Sequence, residues 1–117
     1  MILMEESSAL LRIYNVLRSL GAREETVGFH YTAYGIHLAI EQPQRLAFVT
    51  KWLYPDIAKR FHTTAYAVER GIRMVAVRAA DTPTDLYLQL FPQNSRPVSA
   101  RFLAAVAAYL SSEGTAA

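Results

Sequence analysis

The 117 residues include no cysteine, which excludes a disulfide framework and a thiolate zinc site and points to a reducing cytoplasm. His30, His37 and His62 are the only soft metal ligands that remain. None has a histidine partner at ligand spacing, so no metal and no cofactor is expected. No apolar run approaches the ~20 residues of a membrane span. The start, Met1-Ile2-Leu3-Met4-Glu5-Glu6, has neither the basic opening nor the apolar length of a secretory signal. The expected location is therefore the cytoplasm, away from membranes. A glycine-rich phosphate loop, a nucleophile elbow and an HExxH pair are all missing, which leaves no catalytic residue to name and argues against an enzyme. No stretch alternates apolar and polar residues long enough to read as a strand.

What is present is apolar residue in quantity, 52% of the chain, ample for the core of one domain of this length. The net charge is only +2, with a pI near 9.1, and its distribution says more than its total. Residues 51–80 hold Lys51, Lys59, Arg60, Arg70, Arg73 and Arg78 against Asp56 and Glu69, while the segments on either side are slightly acidic. Local positive charge of this kind attracts a phosphate backbone.

Apolar positions recur at helical spacing throughout, and the expected fold is an all-α single domain, 1–117, of about six to seven helices. A first helix is predicted over about Glu6–Leu20, with Leu10, Ile13, Tyr14, Leu17 and Leu20 on one stripe and Gly21 as its stop. A second starts near Glu24 and Glu25, whose charge suits a helix N-terminus, and ends before Pro43. A short third helix follows over Gln44–Lys51. Later come a short helix near Thr84–Leu90, a loop from Pro92 to Pro97, and a last helix from Ser99, read as its N-cap, to Ser112 with Phe102, Leu103, Val106 and Leu110 inward. Gly114–Ala117 reads as a loose tail. The aromatic set Phe29, Tyr31, Tyr34, Phe48, Trp52 and Tyr54 reads as core, because it lies at helical spacing.

Residues 54–80 decide the functional reading. Pro55 suits a first helical turn, so a helix over Tyr54–Phe61 is predicted. His62-Thr63-Thr64 breaks the pattern, and Thr64 caps a helix whose buried stripe is Ala65, Val68, Ile72, Val75 and Ala79. Two short helices and a three-residue turn make a helix-turn-helix. Burying that stripe turns Tyr66, Ala67, Glu69, Arg70 and Arg73 outward, where they would enter the major groove of DNA. Arg70 and Arg73 can read guanine, Glu69 can accept from cytosine, and Tyr66 can pack on the sugar or bond a phosphate. Lys51, Lys59, Arg60, Thr64 and Arg78 are the candidate phosphate contacts, and His62 is a turn residue close to them. The plain alternative is a solvated basic face on which Glu69 pairs with Arg73 at i,i+4.

The run Thr50-Lys51-Trp52-Leu53-Tyr54-Pro55-Asp56-Ile57-Ala58-Lys59-Arg60-Phe61, followed by Thr63-Thr64-Ala65 and Val68-Glu69-Arg70, resembles the C-terminal effector domain of the sporulation initiation factor A family. Upstream, Gly21, Gly28-Phe29, Tyr31 and Ile36 fit the same pattern; downstream, Leu90-Phe91 and Arg96-Pro97 through Phe102-Leu103-Ala104 do so with a shorter loop. The likeness covers about Arg12 to Leu110. It implies a response-regulator effector domain that binds double-stranded DNA and regulates transcription, with Glu69 and Arg70 on bases and Arg73 at the family's second helix arginine. It also implies a homodimer on tandem boxes and contact with RNA polymerase. Tyr66 and Ala67 depart from the Ser and Arg of the best-known member, and Gly71 and Met74 replace residues of its reading helix. A different DNA box is therefore expected, and Gly71 is expected to cost roughly 1 kcal/mol of helix propensity against alanine.

In that family a phosphorylatable receiver precedes the effector domain, whereas about ten residues precede the first matching helix here, so a stand-alone effector is expected. The rival reading is a protein-interaction module that pairs with, or antagonises, a full-length regulator or RNA polymerase without reading DNA.

Overall fold

The computed structural model describes residues 2–93 and 96–116, with side chains over 7–93 and 96–112. Over these residues the chain forms six α-helices and no strand. They are α1 (Ile2–Ser19), α2 (Val27–Glu41), α3 (Tyr54–Phe61), α4 (Ala65–Asp81), α5 (Asp85–Leu90) and α6 (Ser99–Ala116). The all-α fold expected from the periodicity is the fold observed.

The organising element is α2. Phe29, Tyr31, Ala33, Ile36, Leu38 and Ala39 are all buried along it, and it packs against α1, α3, α4 and α6. A helix apolar nearly all round belongs in the middle of a domain. Its neighbours supply one stripe each: Ile13 and Leu17 from α1 with Leu20 just after it, Val68, Ile72, Val75 and Ala79 from α4, Phe102, Leu103, Val106 and Leu110 from α6. These are the inner members of the stripes that the helical spacing predicts, while Leu10, Tyr14 and Ala65 of the same stripes are half-buried.

Helix ends follow local chemistry, with four revisions. Gly21 closes α1 at φ +89, where a side chain would be strained. The start of α2 lies later than Glu24 and Glu25, at Thr26, whose Oγ accepts from Phe29 N–H at 3.3 Å. Glu24 and Glu25 instead pair with Arg18 and Arg23 in the turn, so neighbouring guanidinium groups, not the helix dipole, hold them. The expected third helix over Gln44–Lys51 is a 3-10 segment, Pro43–Phe48, followed by a π turn, Val49–Leu53. Phe48, at φ −138 and ψ 54, breaks the two apart. That backbone turns its ring outward, 56% exposed, so Phe48 leaves the expected aromatic core.

Ser99 is not the N-cap of α6. The Phe102 N–H bonds to Val98 O at 3.0 Å, which puts the cap at Val98 and frees the buried Ser99 hydroxyl for another helix. The tail expected at Gly114–Ala117 is helical as far as Ala116, and Ala117 lies outside the described residues. Thr84 ties the start of α5 to the end of α1: its Oγ accepts from Tyr87 N–H at 3.2 Å, capping α5, and donates to Ser19 O at 2.7 Å.

Candidate nucleic-acid interface

The candidate residues sit on α3, α4 and the turn between them. His62 closes α3 in the left-handed region, φ 55 and ψ 48, and Thr63 N–H reaches back to Ala58 O at 3.0 Å. Thr64 is extended and its Oγ accepts from Ala67 N–H at 3.1 Å, so α4 restarts within three residues of the end of α3. Ile57 and Ala58 of α3 and Val68 and Ile72 of α4 are buried at the crossing, as the steric pattern predicts.

Burial of that stripe leaves Tyr66, Arg70 and Arg73 exposed and Ala67 and Glu69 half-buried. Tyr66 is 72% exposed, high for so large a ring. Glu69 is the most constrained of the set. Its Oε1 accepts from Arg73 Nη1 at 2.8 Å, and its Oε2 accepts from Ser99 Oγ at 3.1 Å. Tyr54 lies beside the same carboxylate. Burial and the Glu69 charge push its phenol above the usual tyrosine range, against the opposing hydrogen bond with Ser99. Thus three helices meet around one carboxylate, and Arg73 leaves the surface in a set direction.

The basic residues do not form one continuous strip. Lys51 is exposed on the π turn. Lys59 and Arg60, in the last turn of α3, line a polar cleft of about 320 Å³ with Tyr34, Leu38, Arg45 and Asp56. The Arg60 guanidinium stacks 4.7 Å above the Tyr34 ring. Arg45 is held by the Leu38 carbonyl at 3.3 Å and by Asp56 at 3.3 Å, which ties the 3-10 segment to α3. Arg78 lies in the last turn of α4, fourteen residues beyond Thr64 or roughly 20 Å along the axis. The structure therefore gathers Thr64, Tyr66, Glu69, Arg70 and Arg73 within the first turns of α4 and sets Arg78 apart from them.

Gly71 has a role that the helical spacing alone does not reveal. It faces Gly28 of α2, and a Cβ on Gly28 would stand 2.6 Å from the Gly71 carbonyl oxygen. The glycine read as altering the reading face is instead the point where two helix backbones touch. A glycine inside a helical pattern, disfavoured by propensity, was the available signal. Ser99 and Tyr54, the partners of Glu69, left no signal of that kind.

Among the described residues no group of histidine, aspartate or glutamate is placed to hold a metal ion. No helix among them is long and apolar enough to cross a membrane.

The fold is thus all-helical over the described residues, with a capped, arginine-bearing helix set directly after a tight turn. The family model described as sporulation initiation factor Spo0A C terminal matches residues 13–110. That match spans most of the chain, and the chain belongs to this family of DNA-binding effector domains of sporulation response regulators.

Proposed function

We propose that the domain is a sequence-specific regulator that reads duplex DNA in the cytoplasm through a helix-turn-helix, α3 crossing the backbone and α4 entering the major groove. The observation that carries this is the outward face at the start of α4: Tyr66, Arg70 and Arg73 exposed on a helix whose own first turn is capped by Thr64. Arg70 and Arg73 donate to guanine, and Tyr66 packs on the adjoining sugar. Glu69 keeps lone pairs free after its bonds to Arg73 and Ser99, and one of these accepts from cytosine. Lys51, Lys59, Arg60 and Thr64 take phosphates on the near side, and Arg78 takes a more distant one. Two copies on tandem boxes supply the specificity that one short helix lacks.

The test is fluorescence anisotropy with selected genomic fragments and random duplexes at two salt concentrations. The reading expects tight, salt-dependent binding with a clear preference for selected fragments. Absence of binding at low salt would overturn it in favour of a module that meets only proteins.

A further inference from the structure

Beside the proposed reading face runs a groove of about 400 Å³. One wall is α4, from Tyr66 and Ala67 through Gly71 and Met74 to Arg78; the other is the turn after α1 and the start of α2, including Ala22, Val27 and Tyr31. The Gly28–Gly71 contact lets the two backbones touch and forms the floor between these walls. The groove is open to solvent: Val27 is 59% and Met74 43% exposed along it. Apart from the phenols of Tyr31 and Tyr66, its polar lining is Thr26 and three arginines, Arg23, Arg70 and Arg78, and it includes no acidic residue. Arg23 is paired with Glu25 at 2.6 Å. Arg70 and Arg78 have no ion-pair partner among the described residues, and they stand two turns apart on one wall.

From this we infer that the groove binds a small amphiphilic organic anion, an apolar chain lying along the floor with a carboxylate paired to the rim arginines. The volume lies in the range of small-molecule sites, and such sites combine an apolar lining with a few polar groups that orient the ligand. The charge decides the class of ligand. Arg70 and Arg78 are exposed at the rim, where a carboxylate gains charge-assisted hydrogen bonds that a neutral apolar molecule does not make. Tyr66 and Arg70 belong both to this groove and to the reading face, so the occupied groove excludes DNA. That last consequence rests on the DNA reading proposed above; the binding itself does not.

Decanoate, with decanol as its neutral counterpart, is the probe. Titration into isotope-labelled protein without DNA is expected to give saturable one-to-one binding. The amide shifts should centre on Gly28, Gly71 and Met74, and decanol should bind about tenfold more weakly. Arg78→Gln and Val27→Asp should each weaken decanoate by about tenfold. Circular dichroism and the amide spectrum report whether each variant retains its fold, and two independent variants guard against the failure of one. In a second arm decanoate should release DNA from the wild type and not from Val27→Asp. If no DNA binds at all, the reading of α4 fails while the direct titration still judges the groove. Equal binding of decanol, shifts centred elsewhere, or no saturable binding would overturn the inference. So would groove shifts that depend on protein concentration alone, which would identify a second copy as the occupant.

Discussion

Gly28 of α2 and Gly71 of α4 meet with no room for a side chain between them. A Cβ on Gly71 would lie 2.9 Å from Cδ2 of Tyr31 and 3.2 Å from the Gly28 Cα, and one on Gly28 would strike the Gly71 carbonyl at 2.6 Å. Two effects compete when either becomes alanine. Helix propensity favours alanine by about 1 kcal/mol, while overpacking at a crossing costs about 1–3 kcal/mol. Backbone cannot step aside as a flexible side chain can, so the clash wins at Gly28. Gly28→Ala should lower stability by up to about 2 kcal/mol net in chemical denaturation, and Gly71→Ala by less, because part of its clash is with the Tyr31 ring. A gain in stability for Gly28→Ala would show that the crossing relaxes freely.

The link between Ser99 and Glu69 predicts a loss that reaches beyond stability. Removing the hydroxyl in Ser99→Ala should cost about 1 kcal/mol. It should also loosen the carboxylate that aims Arg73. Specific DNA binding should then weaken while binding to random duplex stays nearly constant. A double-mutant cycle between Ser99→Ala and Arg73→Ala measures the coupling, and a value of zero would leave Ser99 a purely structural residue.

Base readers and phosphate contacts should separate in their salt dependence. Arg70→Ala should cost about 1–3 kcal/mol on the specific site and relax preference at one base position. Lys59→Ala should weaken specific and random DNA alike and reduce the salt slope by about one unit. Equal losses on both DNAs for Arg70→Ala would remove that residue from base reading.

His62 adopts φ 55 without being glycine, a conformation that glycine takes with less strain. His62→Gly should therefore raise stability by about 0.5–1 kcal/mol. Thr64→Ala should lower it by about 1 kcal/mol through loss of the Ala67 cap. Thermal unfolding of the two variants side by side checks the signs. The pair brackets a three-residue turn from both ends.

Alkaline pH should destabilise the fold through Tyr54 and Tyr87. Burial raises both phenols above 10.0, with the Glu69 charge adding to the effect at Tyr54 and Arg96 opposing it at Tyr87. As pH rises past the ordinary tyrosine value, the unfolded chain releases these protons while the folded chain retains them. Their contribution is complete below pH 10 and fades as pH climbs toward the raised values. Tyr54→Phe should flatten that part of the stability profile, and an unchanged profile in the variant would assign the loss to other groups.

Much of this domain follows from the sequence by itself. Spacing of Ile13, Leu17 and Leu20, of Val68, Ile72 and Val75, and of Phe102, Val106 and Leu110 assigns both helices and buried faces, because a 3.6-residue period leaves little choice of which side turns inward. Pro55, His62 and Thr64 mark the turn locally, since a missing N–H, a break in the apolar spacing and a capping hydroxyl act within a few residues of their own position; the left-handed backbone of His62 is visible only in the structure. Other features depend on what lies opposite. The segment from Pro43 to Leu53 runs as a 3-10 and then a π turn, separated where the backbone leaves helical geometry at Phe48. Gly71 is a packing residue only because Gly28 lies against it, forty-three positions away in the chain. Ser99 binds Glu69 only because α6 begins beside α4. Contacts of that range are invisible to local pattern, and they decided how α4 is seated against α2 and α6, how its Glu69 is held, and that an apolar groove lies along it.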